Sequence, residues 1–252
     1  MKKVVGYSVV FVVVFITSAV VNLPAQFVFQ QLPLPLPLQV MGVQGTIWQG
    51  SAEQVRWQGR HLGDMRWQLK PSALLAANVE VDVRFGRGSE LSLRGKGTLG
   101  YGLSGLYAEN AIVSMPADIA LAQAPLSLPI EAQGQLELSI NQYRYQAPFC
   151  SSAEGSLVWS SANVESLLGV LALNQVMADL QCSDNTLTVK GKQNSQQVGS
   201  EFSAQLNPNL SYQADGWFKP GAEFPESLAQ QLKWLPEPDA QGRYSFKHQG
   251  HL

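Results

Sequence analysis

The chain has 252 residues, of which 14% are charged and 45% are apolar. Because an average soluble protein has about 25% charged residues, this surface is built largely from uncharged polar groups. The 17 basic and 19 acidic residues give a net charge of −2, which excludes the basic excess that nucleic-acid binding requires. The apolar fraction excludes intrinsic disorder, and three histidines with two cysteines leave little material for a metal cluster.

The first segment of the chain is predicted to be a membrane anchor. Lys2 and Lys3 precede an uncharged apolar run over residues 4–21. As a helix, this run extends over roughly 27 Å, close to the roughly 30 Å of a bilayer core. A cleaved signal peptide is the alternative, but the run is longer than the usual apolar region and no clear cleavage site follows it. Both interpretations predict export of the remaining chain, and the two lysines place residues 1–3 in the cytoplasm.

A proline-rich segment follows the predicted anchor, with leucine and proline alternating over Leu32–Leu38. Alternate prolines block both a helix and a central strand, and they favour the extended polyproline II form. The sequence therefore predicts that residues 22–39 are a stiff spacer that holds the following domain away from the membrane. A ligand for a proline-binding domain is the alternative, but such domains are mostly cytoplasmic and this segment is predicted to be exported.

From residue 40 onward the dominant pattern is the alternation of apolar and polar residues. Such alternation predicts antiparallel strands with one buried face and one face in water. Glycines interrupt the runs between residues 86 and 105, as turns or bulges do. The clearest apolar sets are Met65, Trp67 and Leu69; Val79, Val81, Val83 and Phe85; Leu136, Leu138 and Ile140; and Leu187 and Val189.

Helical signals are few, so we predict a mainly β protein: a long antiparallel sheet with two or three short helices over residues 40–252. A change in composition near residues 130–148 suggests a subdivision of this domain. An open sheet leaves its apolar face uncovered, whereas folding the sheet over itself into a sandwich or barrel hides that face. The candidate helices are Val164–Ala172, capped by Asn163, and Glu226–Leu235, opened by Pro225, with single turns at Pro71–Leu75 and Pro116–Leu121.

The only two cysteines are Cys150 and Cys182. In an exported chain such a pair is most simply a disulfide, which stabilises a fold by about 2–4 kcal/mol. The bridge would close a loop of about 30 residues containing the first predicted helix. A redox or metal pair is the alternative, but it requires closer spacing or a nearby histidine, and neither is present.

Catalytic motifs are absent or unconvincing. Gly95–Gly100 matches G-x-G-x-x-G, but a nucleotide site needs a helix next, and Tyr101–Gly105 is too glycine-rich to form one. We therefore interpret these glycines as bulges in adjoining strands. The three histidines, His61, His248 and His251, contain no pair at helical spacing for a metal. We expect no catalytic residue, no metal and no cofactor, and hence a protein that is not an enzyme.

Tryptophan is the most informative residue type in the chain. Packing in the core is the simplest interpretation, because a tryptophan buries a large apolar area. A partner-binding surface and an apolar groove for lipid acyl chains are the alternatives. The six residues are Trp48, Trp57, Trp67, Trp159, Trp217 and Trp234.

The most specific stretch of the chain is Gly45–Leu75, which we call the motif. Its glycines permit tight turns between short strands, and its apolar residues fill one face of those strands. Its glycine and tryptophan pattern does not point to a catalytic nucleophile, a general acid or a metal ligand, so we interpret it as a folding motif that also offers an assembly surface. Its defining residues are Gly45, Trp48, Gly50, Trp57, Gly59, Gly63, Trp67 and Pro71.

The motif resembles the signature of the type II secretion system protein N family, also called general secretion pathway protein N. The resemblance implies a short cytoplasmic tail, one bacterial inner-membrane anchor and a periplasmic β-rich domain. It also implies a non-enzymatic accessory component in the export of folded proteins across the outer membrane. The expected partners are other secretion components, namely the inner-membrane platform or the outer-membrane channel, and not nucleic acid.

The β domain is also similar to the sheet unit of AsmA-type periplasmic proteins, which have been linked to lipid handling. That likeness implies an AsmA-like sheet or half-barrel. A periplasmic protein that binds or transfers lipid in a β-groove is therefore the alternative function. The sequence leaves the direct partner, the stoichiometry and the exported cargo open.

Overall fold

The computed structural model describes residues 2–31, 37–123 and 129–251, and within them the chain is mainly β. The helices are α1 (Lys2–Val21), α2 (Ala25–Gln31), α3 (Pro71–Leu74), α4 (Ala117–Gln123) and α5 (Glu226–Ala229), with a 3-10 turn at Leu232–Trp234. The strands are β1 (Leu38–Gly45), β2 (Gln49–Trp57), β3 (Arg60–Leu69), β4 (Val79–Phe85), β5 (Arg94–Gly102), β6 (Gly105–Pro116), β7 (Ile130–Arg144), β8 (Ser152–Ser166), β9 (Gly169–Ser183), β10 (Thr186–Asn194), β11 (Val198–Leu206), β12 (Ser211–Pro220) and β13 (Tyr244–His251).

The thirteen strands form one antiparallel sheet in which their order along the chain is their order in space. The predicted long antiparallel sheet is therefore confirmed. Strand β7 covers the region of the suggested subdivision and pairs with β6 on one side and β8 on the other, so the sheet is continuous there. Strands β1 and β13 form its two edges.

The register places the apolar residues of neighbouring strands on the same face. Val83 lies opposite Trp67, and Leu138 lies opposite both Val113 and Leu157. Because paired residues share a face, the alternation seen in single strands becomes one apolar surface that continues across the sheet.

Several glycines inside the strands pair with aromatic residues rather than forming turns. In each case a Cβ at the glycine would collide with the ring that lies over it. The prediction of turns or bulges is right for Gly97, which lies at a register shift in β5, but wrong for Gly95 and Gly100. The directly opposed pairs are Gly50 and Trp67, Gly95 and Phe85, Gly100 and Tyr107, Gly191 and Phe202, and Gly216 and Phe246.

The predicted helix Val164–Ala172 is wrong, since these residues form the end of β8, a two-residue turn and the start of β9. Val164 lies directly opposite Leu171 across this hairpin, and Leu167 at its tip is exposed. Cross-strand pairing therefore explains an apolar spacing that also fits a helix.

The other helical predictions are confirmed in shortened or extended form. The turn at Pro71 is α3, and Pro occupies the first helical turn, where its missing N–H costs nothing. The predicted helix Glu226–Leu235 divides into α5 and the 3-10 turn. The turn expected at Pro116–Leu121 is α4, which runs on to Gln123.

Among the residues that the structure describes, no second layer covers the sheet, and the folded chain exposes an accessible surface of 16684 Å². A compact protein of 27.5 kDa exposes about 11,000 Å². No large side chain among the described residues is fully buried. Seven of the buried residues form two clusters, which we call the tryptophan cluster (Ala25, Ala52, Val55 and Trp67) and the disulfide cluster (Cys150, Ala153 and Cys182).

The segment before the sheet is partly helical. The predicted anchor, residues 4–21, lies within α1, and α2 occupies the middle of the predicted spacer. None of the helices in the described residues satisfies both the length and the hydropathy required of a membrane-spanning segment. The predicted polyproline stretch falls mainly on residues 32–36, which lie outside the described residues.

Candidate functional site

The motif forms the junction at which the N-terminal helices meet the sheet. The backbone N–H of Ile47 donates to the Leu23 carbonyl at 3.1 Å, and the Trp48 indole Nε1 donates to the Val20 carbonyl at 2.9 Å. The last carbonyls of a helix lack partners within it, and the Val20 carbonyl accepts both the Trp48 indole and, at 3.4 Å, the Leu23 backbone N–H. Pro24 also forms a single β-bridge with Thr46. The chain after α1 is therefore held directly against the sheet.

Helix α2 closes the tryptophan cluster. Ala25 is fully buried, and the Phe29 ring lies 5.3 Å from the Trp67 ring between centroids. Trp67 is only 7% exposed, and its Nε1 donates to the Thr46 carbonyl at 3.3 Å. Part of the predicted spacer is thus packed against the sheet, because its apolar side chains cover a tryptophan that the single-layer sheet leaves open on that side.

Glycines shape the backbone of this junction. Gly50 lies under the Trp67 ring, where any side chain would collide with the indole. Gly45 has φ +86° at the turn into β2, and a Cβ there would lie 2.6 Å from the Gln49 carbonyl. Gly63 has φ +93° opposite a register shift in β2, and a side chain at this position would bring its Cβ within 2.6 Å of the Arg87 carbonyl. These close approaches explain three of the motif glycines.

The remaining motif residues lie away from the cluster. Trp57 ends β2 and is 41% exposed, while Gly59 lies in the following turn with open space around it. Pro71 begins α3. The structure therefore brings together Trp48, Gly50 and Trp67 as one junction, and it leaves Trp57 as a surface residue of the same strands.

The predicted disulfide between Cys150 and Cys182 is present, with a Cα–Cα distance of 6.3 Å. The loop it closes contains β8 and most of β9, not the predicted helix. The Asn185 side-chain oxygen accepts hydrogen bonds from the backbone N–H groups of Phe149 and Cys150. Tyr143 donates its hydroxyl to the Phe149 carbonyl at 2.6 Å, and burial raises the pKa of that tyrosine.

The other tryptophans do not form a common core. Trp159 is half-buried and donates to the Gln133 carbonyl at 2.8 Å. Trp217 lies 5.2 Å beneath the Arg243 guanidinium, and Trp234 is 78% exposed. Core packing is therefore the role of Trp67, while most of the others keep one side in water.

A hydrogen-bonded charge network crosses β3 to β6 on the polar face. Lys70 lies 2.9 Å from Asp82 and 3.8 Å from Glu80, and Thr98 donates to Asp82 at 2.6 Å. The Thr98 hydrogen bond and the nearby Lys70 hold the pKa of Asp82 below its ordinary value. Burial and a hydrogen bond to Glu80 raise the pKa of Tyr107. The network ties four strands together.

The residues considered for nucleotide or metal binding lie in strands and turns, where their contacts belong to the fold. Gly95–Gly100 lies inside β5, and a turn into β6 follows it. His61 accepts a hydrogen bond from the Gly63 backbone, and His248 pairs with the Tyr212 hydroxyl. Within the part of the chain that the structure describes, no three His, Cys, Asp or Glu side chains are grouped closely enough to hold a metal ion.

These features define a class of protein: a single-layer antiparallel sheet whose first strands hold two N-terminal helices. The family profile described as "Type II secretion system (T2SS), protein N" matches residues 37–247. The chain is 54% identical to type II secretion system protein N of Vibrio cholerae serotype O1 and 34% identical to that of Aeromonas hydrophila, with both chains covered completely in each comparison.

It is also 31% identical to type II secretion system protein N of Klebsiella pneumoniae, over 82% of this chain and 80% of that one. No solved structure matches the chain. The chain therefore belongs to the type II secretion system protein N family. The resemblance carried by the motif is confirmed.

Proposed function

We propose that this protein is an inner-membrane-anchored accessory component of the type II secretion system that acts by protein–protein interaction. Residues 1–3 lie in the cytoplasm, residues 4–21 form the anchor, and residues 40–252 lie in the periplasm. Family membership and the uncharged apolar run after Lys2 and Lys3 support this arrangement. The disulfide agrees with an oxidising compartment.

The observation that carries the interaction role is the free edge at β13. This strand pairs only with β12 among the described residues, and Ser245–Gly250 is exposed throughout. An edge strand offers a row of unpaired backbone groups, to which a partner can add a strand. At the opposite edge of the sheet, the side chains of α2 pack against those of β1. Strand β13 is therefore the proposed contact with a platform or channel component.

A photo-crosslinking amino acid at Gln249 in full-length protein tests this contact in native membranes. We expect an adduct with a secretion component from Gln249 and none from the matched site Lys190 in the central strand β10. Equal adducts from both sites, or none from any position in β13, would reject the edge contact.

Carbonate extraction of the same membranes tests the anchor. An integral protein with an intact N-terminus stays in the pellet. Release of a shorter chain, beginning after residue 21, would show that the apolar run is a cleaved signal peptide.

Lipid binding is the second candidate function, and one specific observation favours it. The apolar face is continuous across the sheet and keeps partly exposed side chains in the described residues, such as the directly opposed pair Leu138 and Leu157. An AsmA-like open sheet would present such a face to acyl chains. Stoichiometric phospholipid that survives purification of the native protein, and is lost in Leu157→Arg, would support this role. Phospholipid at background level would reject lipid binding and leave protein–protein interaction as the one proposed function.

A further inference from the structure

Three basic side chains stand in one row across the polar face of the first half of the sheet. Arg66 lies directly opposite Arg84, and Arg84 lies directly opposite Lys96. Residues paired in this way share a face, with Cβ atoms about 5 Å apart. All three side chains are exposed. Like charges placed directly opposite each other destabilise a sheet, so this row lowers the stability of the folded state.

The row is part of a larger basic pocket, which we call the cationic cavity. The cavity has a volume of about 670 Å³. Asp64 is its only acidic residue, against five basic ones, so its lining carries a net charge of +4 in a chain whose net charge is −2. Its basic residues are Arg66, Arg84, Arg87, Arg94 and Lys96.

The single acidic group of the cavity is already engaged. One oxygen of Asp64 lies 3.0 Å from Arg87 and 3.8 Å from Arg66, and the other accepts the Arg87 backbone N–H. Arg84, Arg94 and Lys96 make no ion pair and no side-chain hydrogen bond within the described residues. Three cations in one pocket thus have no carboxylate within ion-pair distance among the described residues, while Arg84 interacts electrostatically with the carboxylate of Asp82.

We propose that the cationic cavity binds an acidic peptide segment of a partner protein. This inference rests on the proposed function, which requires contacts with other components, and it adds a second surface of stated chemistry. Adjacent strands are about 4.8 Å apart, so the row from Arg66 to Lys96 extends over about 10 Å. A segment with several carboxylates along its length can pair with the three cations at this spacing.

An extended peptide matches the dimensions of the row. Acidic residues two positions apart in such a peptide point to the same side and lie about 7 Å apart, so two carboxylates fit between the three cations. Arginine guanidinium groups bind carboxylates through paired hydrogen bonds. Ile112, opposite Lys96 at the end of the row, adds an apolar contact for a neighbouring side chain.

Fluorescence anisotropy with a labelled octaglutamate peptide tests the proposal on full-length protein in non-ionic detergent. We expect binding that weakens with salt and that falls at least about tenfold in the double variant Arg84→Gln and Lys96→Gln, because charge-assisted hydrogen bonds are lost. The matched control is Lys190→Gln and Lys192→Gln, which removes the same charge elsewhere on the polar face. This control should change the affinity less than twofold.

Three results would overturn the proposal. Equal weakening in both double variants would mean that net charge alone attracts the peptide. No binding at low salt would mean that the cavity does not take acidic segments. Displacement of the peptide by inorganic phosphate, at constant ionic strength, would make the cavity a phosphate site.

The thermal midpoint gives an independent measurement on the free protein. Arg84→Gln relieves the repulsion on both sides, so its midpoint should rise by about 2 °C. Failure of octaglutamate binding while Gln249 still gives adducts would reject only the cavity. Loss of the Gln249 adducts while octaglutamate still binds would reject only the edge contact.

Discussion

The two buried clusters of this sheet are closed by different means. The tryptophan cluster is closed by a helix, because α2 places Ala25 and Phe29 against Trp67. The disulfide cluster is closed by a covalent bond between Cys150 and Cys182 and by the side chains packed around it. In this sheet, one cluster forms where a segment folds back on the strands, and the other forms where a crosslink joins a strand to the loop before β8.

This difference makes the two clusters sensitive to different changes. The first depends on the segment before β1, and the second depends on oxidation. Substitutions in the two clusters should add in their effects on the free energy of unfolding, because the clusters share no side chain.

The largest effect is expected from Trp67→Ala. Removal of this buried indole should lower the free energy of unfolding by about 3–5 kcal/mol, and protein levels in cells should fall with it. Urea denaturation and immunoblotting measure these two quantities. Trp67→Phe is the control, since it keeps most of the packing and loses only the hydrogen bond to Thr46. Normal abundance with lost secretion would instead make Trp67 a contact residue.

In the double variant Cys150→Ala and Cys182→Ala, the free energy of unfolding should fall by about 2–4 kcal/mol. Reductant should lower the unfolding midpoint of the natural protein and leave that of the variant unchanged. Thiol labelling after denaturation without reductant should detect no free thiol in the natural protein. Two labelled thiols per chain would show that the bond is absent in cells.

Phe29→Ala should lower the free energy of unfolding by a smaller amount, about 1–2 kcal/mol, since Phe29 is half-buried. Phe27→Ala on the same helix is the matched control, because Phe27 is exposed and should change stability by less than about 0.5 kcal/mol. Thermal unfolding compares the two variants. Equal effects would mean that α2 does not close the tryptophan cluster in the protein.

The smallest effect concerns pH and lies outside both clusters. The pKa of Asp82 is held down by Thr98 and Lys70, so its charged form stabilises the folded chain. This contribution is complete above the ordinary pKa, about 4, and is lost as the pH falls through the lower pKa of the folded state. Asp82→Asn should therefore flatten the decline of the thermal midpoint in acid. Identical pH profiles would contradict this assignment.

The sheet followed from the sequence because alternation is local. The sets around Val81, Leu138 and Val189 each reveal a strand without knowledge of its neighbours. The helix predicted at Val164–Ala172 failed because the pairing of Val164 with Leu171 across a turn gives the same apolar spacing as a helix. Local patterns do not show whether two residues lie on one helix or on two strands.

The candidate sites depended on register, which the sequence does not show. Arg66, Arg84 and Lys96 are far apart in the chain, and only the pairing of β3, β4 and β5 aligns them. The docking of α2 on Trp67 was also not predicted, because the prolines after it suggested an extended spacer. In contrast, the motif included both Trp67 and Gly50, but it did not show that they touch.

The strict neighbour-to-neighbour pairing of the strands has a consequence for how the chain acquires its structure as it emerges from its N-terminal end. Each strand pairs only with the strands next to it in the sequence, so contact order is low for a β protein of this size. A chain that leaves an export channel from its N-terminal side can add one strand at a time to a growing edge. The first strands, which hold α1 and α2, are complete first, and the disulfide can form once Cys182 has emerged. Strand β13 is the last to form, so the proposed docking edge exists only in a chain whose other strands are already in place.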